Sequence, residues 1–98
     1  MKARLLIRDR IEFADDAVAH ITVWKVPRPV NGSQHNYKYR LAYVVDGECV
    51  FRYDNEAGKG DHRHWNHEET CYLFVSLSQL LTAFMSDITR WNHENRTV

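Results

Sequence analysis

Tyr37-Lys38-Tyr39-Arg40-Leu41-Ala42-Tyr43-Val44-Val45, followed at once by Asp46-Gly47, decides how this chain folds. Tyr37, Tyr39, Leu41, Tyr43 and Val45 fall on one side of an extended backbone, and Lys38, Arg40, Ala42 and Val44 on the other. That two-residue period is the mark of a half-buried β-strand. Asp-Gly is a two-residue hairpin signal, since both residue types tolerate positive φ. The chain is therefore expected to return antiparallel as Cys49-Val50-Phe51-Arg52-Tyr53.

Working outward, residues 3–13 alternate in the same way, with Leu5, Ile7, Ile11 and Phe13 on one face and Leu6, Arg8, Arg10 and Glu12 on the other. Asp9 interrupts the apolar face, which predicts a bulge or an edge position. Ala14-Asp15-Asp16 reads as a turn into a second strand over 17–26, which Pro27 and Pro29 bring to an end. Residues 30–36, with Asn31-Gly32 inside, read as a loop. A fifth strand is expected from about Thr70 to Val75. Ser76 with Gln79 three residues later has the spacing of a capping box. Leu77, Leu80, Leu81, Phe84, Ile88 and Trp91 then recur at three- and four-residue steps, the apolar stripe of one helix. The fold class is α+β: an antiparallel meander of about five strands with a single C-terminal helix packed on one face. Residues 1–91 are read as one domain, and 92–98 as a polar tail expected to fray.

Thirteen Lys plus Arg balance thirteen Asp plus Glu over 98 residues, so the net charge is zero with neutral histidines. That excludes a polybasic coat but leaves room for a local basic site. No apolar run approaches the length of a membrane span, and Leu5-Leu6-Ile7 is too short for a signal-peptide core, so a cytoplasmic chain is expected. Cys49 and Cys71 lie in strand-like apolar runs and are expected to be buried thiols without a redox role.

The chemistry concentrates between the fourth strand and the fifth. Arg52-Tyr53-Asp54-Asn55-Glu56-Ala57-Gly58-Lys59-Gly60-Asp61-His62-Arg63-His64-Trp65 passes two glycines and then alternates His, Arg, His. Imidazoles give or take a proton near neutral pH, and Lys or Arg stabilise a phosphorane. Metal-independent RNA cleavage needs a base for the 2′-hydroxyl, an acid for the leaving oxygen and cations around phosphorus. On that reading His62, His64, Lys59, Arg63 and Asp61 are the catalytic candidates, and Arg52, Tyr53, Gly58, Gly60 and Trp65 the substrate-binding ones. No cofactor is required. If 61–65 is extended, His62 and His64 face one side and Arg63 the other, and Lys59 becomes the better phosphorane stabiliser. A polar hairpin tip without a catalytic role explains the same composition. A third reading takes His62, His64 and His67 as metal ligands, with Glu68, Glu69 or Asp61 completing the set, although Arg63 between them repels a cation.

Arg8, Arg10, Lys38 and Arg40 could line a sheet face that meets nucleic acid, or be its ordinary solvent side. Trp24, Trp65 and Trp91 read as core or interface anchors rather than base-stacking platforms, with Trp65 nearest the histidine segment. Asp54 and Asp61 are candidates for orienting a histidine or for capping a turn.

Tyr39-Arg40-Leu41-Ala42-Tyr43, Arg52-Tyr53-Asp54-Asn55, Gly58-Lys59-Gly60-Asp61-His62-Arg63-His64 and Leu80-Leu81-x-x-Phe84-x-x-Asp87-x-x-x-Trp91 together resemble the TumE family over roughly residues 3–91. These are small toxins of bacterial type II toxin–antitoxin modules. The resemblance implies growth inhibition and a cognate helix-turn-helix antitoxin, and carries no assignment of catalytic residues. With the loop chemistry it points to RNA as the target. The alternative is a non-catalytic domain that binds nucleic acid or protein, and a homodimer is compatible with either reading.

Overall fold

The computed structural model describes residues 2–96. Its centre is the predicted hairpin: β3 (Tyr37–Val45) turns at Asp46-Gly47, both with positive φ, into β4 (Glu48–Asp54). Around it run β1 (Arg4–Ala14) and β2 (Ala17–Lys25) on one side, and β5 (His62–Trp65) and β6 (Glu68–Cys71) on the other. All six strands form one antiparallel sheet in sequence order. The expected fifth strand is thus two shorter ones. His62–Trp65, read as loop, pairs with β4 and then turns at Asn66, whose φ is 56°, into β6. Residues 72–76 leave the sheet, although the Tyr72 N–H still donates to the Asp61 carbonyl at 2.9 Å.

Asp9 does sit on an edge strand, and a register shift between Leu5 and Ile7 marks a bulge nearby. In the β3–β4 pairing a shift between Tyr43 and Val44 makes Val50 the extra residue of β4.

α1 (Leu77–Asn95) lies on one face only. Ser76 caps it, its Oγ accepting from the Gln79 N–H at 3.0 Å. Leu80, Phe84, Ile88 and Trp91 are buried against the inward row of β2, β3 and β4, which includes Ile21, Tyr43, Phe51 and Tyr53. Leu77 and Leu81 are only half-buried, at the margin of that stripe. The helix also continues past Trp91. Asn92 Oδ1 accepts from the Tyr43 hydroxyl at 2.7 Å, and Arg96 pairs with Asp16 at 2.7 Å, tying the helix end to the β1–β2 turn. Residues 92–95, read as tail, are therefore helical; Thr97 and Val98 lie outside the described residues.

Asn55 extends the sheet with its side chain. It is fully buried, accepts from the Tyr39 N–H at 2.9 Å and donates to the Tyr37 carbonyl at 2.7 Å, as a further residue of β4 otherwise would. The cysteines depart from expectation: Cys49 is half-buried and Cys71 exposed, because β6 is an edge strand with solvent on its outer side.

Candidate functional site

β5 decides where the candidate residues go, because alternate side chains leave a strand on opposite faces. Its partners in register are Phe51 for Trp65, Arg52 for His64, Tyr53 for Arg63 and Asp54 for His62. Arg63 and Trp65 therefore join Tyr53 and Phe51 beneath the helix, while His62 and His64 join Asp54 and Arg52 on the face that bears no helix.

Under the helix the polar groups are committed to one another. The Tyr53 hydroxyl donates to Asp87 Oδ2 at 2.6 Å, and Arg63 Nε lies 3.0 Å from the same oxygen and 3.1 Å from the Tyr53 hydroxyl. Burial and the Asp87 carboxylate together raise the Tyr53 phenol above its ordinary range. Burial alone lowers the Arg63 pKa, but bonding to Asp87 and Tyr53 outweighs it. Trp65 stacks on Phe51, with the guanidinium carbons of Arg63 and Arg90 at 4.6 and 4.8 Å from its ring centre. These contacts fasten β5 to α1, and none of them presents a group to the histidines.

Asp61 is equally committed. It accepts from Ser33 Oγ at 2.7 Å, from His35 Nε2 at 2.7 Å and from the Tyr39 hydroxyl at 2.6 Å. The Tyr37 N–H donates to His35 Nδ1, so the network assigns the ring proton to Nε2. Burial and Asp61 together hold the Tyr39 phenol far above its usual range. A cleft of about 450 Å³ beside this cluster is lined by His35, Asp61, Cys71 and Phe74, with Phe74 stacked on His35 at 3.7 Å. The polar side chains of that cluster already have partners.

Gly60 of the motif closes a clasp with Gly32 of the 30–36 loop. Gly32 and Gly60 have φ of 86° and 91°, and a Cβ on Gly32 would stand 2.3 Å from the Gly60 nitrogen. The 30–36 loop and the 58–60 loop thus meet backbone to backbone, and the Gly60 N–H donates to the Asn31 carbonyl at 3.3 Å. Gly58 also has positive φ, in the turn before Lys59.

On the open face the groups converge. His64 Nδ1 lies 3.6 Å from Glu69 Oε2, and its Nε2 lies 3.4 Å from Arg52 Nη2. A guanidinium has only donors, so that nitrogen carries a lone pair, and Nδ1 carries the proton toward the carboxylate. His62 places Nδ1 at 3.2 Å from Glu69 Oε1, out of line for a hydrogen bond, and donates from Nε2 to the Lys59 carbonyl at 3.0 Å. Arg52 is held by Asp54 Oδ2 at 2.8 Å; burial alone lowers its pKa, and the Asp54 bond outweighs that. A shallow cleft of about 480 Å³ is bounded by Arg40, Arg52, Lys59 and His64, with Asp54, Glu56 and Glu69 at its rim. Such a site can take a proton at His64, steady the resulting imidazolium with Glu69, and neutralise an anion with three cations.

Of the ten sequence candidates, His62, His64, Arg52 and Lys59 are on or beside this cleft. Arg63, Tyr53 and Trp65 belong to the helix side, Asp61 and Gly60 to the loop clasp, and Gly58 to the turn before Lys59. Glu69 is the residue whose role the sequence reading missed. The signal was a β5–β6 turn at Asn66-His67, which puts Glu69 directly opposite His64. Among the described residues no group of three or more His, Cys, Asp and Glu side chains is arranged to hold a metal ion. His67 sits in the turn, Glu68 pairs with Trp65 on the other face, and Asp61 is engaged elsewhere. No helix is long and apolar enough to cross a membrane.

No curated protein and no solved structure matches the chain. The family model described as Toxin TumE matches residues 1–92, which is nearly the whole chain and includes β1 to β6 and most of α1. The chain belongs to the TumE toxin family.

Proposed function

We propose that this toxin inhibits growth by cleaving RNA without a metal ion, with His64 as the base. The observation that supports this reading is the state of His64: its Nε2 lone pair opens onto an arginine-lined cleft while Nδ1–H faces Glu69. His64 takes the 2′-hydroxyl proton as that oxygen bonds to phosphorus, and the bond to the 5′-oxygen breaks. Arg40, Arg52 and Lys59 neutralise the phosphorane, and the leaving oxygen takes its proton from solvent water in the open cleft, because His62 has Nε2 on the Lys59 carbonyl and Nδ1 buried beside Glu69. The products are a 2′,3′-cyclic phosphate and a free 5′-hydroxyl. Arg63 and Asp61 serve this site by fixing β5 and its approach rather than by touching substrate.

The toxin family implies an antitoxin, and we infer a helix-turn-helix protein that adds a strand to β6. All four residues of β6 are exposed, and Leu73 and Val75 beyond it are exposed apolar side chains. Co-purification with the product of the adjacent reading frame tests this; separate elution of the two proteins at micromolar concentration refutes it.

The cleavage reading is tested with the pure chain and single-stranded RNA in EDTA. Cyclic phosphate ends that form in chelator and vanish with a folded His64→Ala variant are expected. A His64→Ala variant that still cleaves overturns the role of His64, and a wild-type chain that cleaves no RNA, with or without ribosomes, leaves a binding domain.

A further inference from the structure

We propose that the helix-free face of the sheet is a track for single-stranded RNA that runs from the His64 cleft across to β1. This rests on the cleavage reading for what happens at one end of the track, and on separate observations for the rest.

The register builds two complete rows across the six strands: Arg10, His20, Ala42, Arg52, His64 and Glu69 form one, and Arg8, Thr22, Arg40, Asp54, His62 and Cys71 the next. Leu5, Trp24 and Lys38 start a third. Opposite residues of an antiparallel pair share a face, so all of these side chains are on the same side. On the strands of this face five cations (Arg8, Arg10, Lys38, Arg40, Arg52) meet three carboxylates (Glu12, Asp54, Glu69), and Lys59 and Glu56 add one of each at the cleft, although the chain as a whole is neutral. The three strand carboxylates are already engaged: Glu12 by Arg10, Asp54 by Arg52 and Glu69 by the two histidines. Among the described residues Arg8, Lys38 and Arg40 have no carboxylate partner; Arg40 and Arg8 share one row, on β3 and β1, and Lys38 lies one row further along β3.

Spacing fits a nucleic-acid strand. Neighbouring strands lie about 4.8 Å apart, so β5 to β1 spans about 19 Å, and sheet faces of similar width hold two or three bases. Trp24 supplies an aromatic surface at one end of the cationic patch, opposite Lys38 and with the Arg8 guanidinium 5.8 Å from its ring. Trp65 and Trp91 are on the helix side, so Trp24 is the tryptophan this face offers. Stacking needs an unpaired base, which favours a single strand over a duplex whose bases are turned inward. An acidic protein segment would use the cations but not need the aromatic surface to be flanked by them.

The experiment measures binding of a labelled single strand about 12 nucleotides long, with 2′-O-methyl groups that prevent cleavage, by fluorescence anisotropy over a range of salt. Arg8→Gln with Lys38→Gln should make the slope of log affinity against log salt shallower by about 1.4, which is the loss of two single-strand phosphate contacts. Trp24→Leu should weaken binding by about 5- to 150-fold. Arg90→Gln, on the helix side, should leave both readings unchanged. Equal loss from Arg90→Gln would mean attraction to overall charge and overturns the track. Unchanged slope and affinity in the Arg8/Lys38 variant overturn it too, and if that variant instead loses antitoxin capture the face belongs to a protein. Binding does not depend on catalysis, so a chain that binds along this face but cleaves nothing refutes the chemistry at His64 and keeps the track.

Discussion

Arg63→Ala separates the structural use of this arginine from the catalytic use that its place between two histidines invites. In the structure Arg63 bonds Asp87 through Nε at 3.0 Å and Nη2 at 2.9 Å, with side-chain exposures of 24% and 15% for the pair. A hydrogen bond to a charged group contributes about 1.5–3 kcal/mol. Removing one partner of a fully buried pair costs about 3–5 kcal/mol. Partial exposure and the surviving Tyr53 bond to Asp87 place this case below that range, at about 2–3 kcal/mol with the lost Trp65 contact included. For a domain of this size the melting temperature should fall by about 10–20 °C. Urea unfolding followed by circular dichroism gives the number, and a double-mutant cycle with Asp87→Asn should show a coupling of about 1–3 kcal/mol. Below its lowered melting temperature the variant should remain toxic. An Arg63→Ala protein that melts within about 2 °C of the parent but has lost toxicity would refute the structural assignment and return Arg63 to the site.

The core predicts that Phe84→Ala costs about 3–5 kcal/mol, while Leu81→Ala costs less because Leu81 is only half-buried; chemical denaturation of both variants ranks them. Gly32→Ala should lower the melting temperature sharply or prevent folding, since its Cβ would meet the Gly60 backbone at 2.3 Å; a melting temperature equal to the parent's refutes the clasp. Tyr39 and Tyr53 have raised pKa values when folded, so their contribution is complete below the ordinary tyrosine pKa of 10.0 and is lost as pH rises through the folded values. Stability should therefore decline above about pH 10, and less steeply in Tyr53→Phe, as thermal melts across alkaline pH will show. Asp16 works in the opposite direction: Arg96 lowers its pKa below 3.8, so the clamp on the helix end is intact above that pH and opens as pH falls through the folded value. Asp16→Asn should melt with less acid dependence than the parent.

The parts of the fold that local patterns specify were legible in the sequence. The β3–β4 hairpin follows from alternation and Asp46-Gly47, and the helix start from Ser76 with Gln79. β5 was not legible as a strand, because its inward positions are Arg63 and Trp65 and its outward ones two histidines, which leaves no apolar period to read. Its burial depends on Tyr53 and Asp87, and the latter is 24 positions away from Arg63. The candidate site was legible in composition but not in sidedness: His62 and His64 share the helix-free face, while Asp61, adjacent to His62, bonds Ser33, His35 and Tyr39. Nothing local distinguishes a carboxylate that orients a histidine from one that closes a loop 28 residues away. Glu69 had the opposite fate, since its partner lies across a turn that the histidine-rich composition disguised.

The groups of the cleft are unequally anchored. Arg52 is on β4, which is paired on both sides, and Asp54 fixes its guanidinium. Glu69 is on β6, a four-residue edge strand paired only with β5. The carboxylate that faces His64 is therefore on the least restrained strand of the sheet, while Arg40 and Arg52 are on strands paired on both sides. Edge strands are also the places where another chain can pair. A partner strand added to β6 would act first on Glu69, and through it on both histidines, without displacing Arg40 or Arg52. Neutralisation at that edge would then silence proton transfer while leaving the cationic face able to hold RNA, whereas an antitoxin seated over Arg40 and Arg52 would remove both at once.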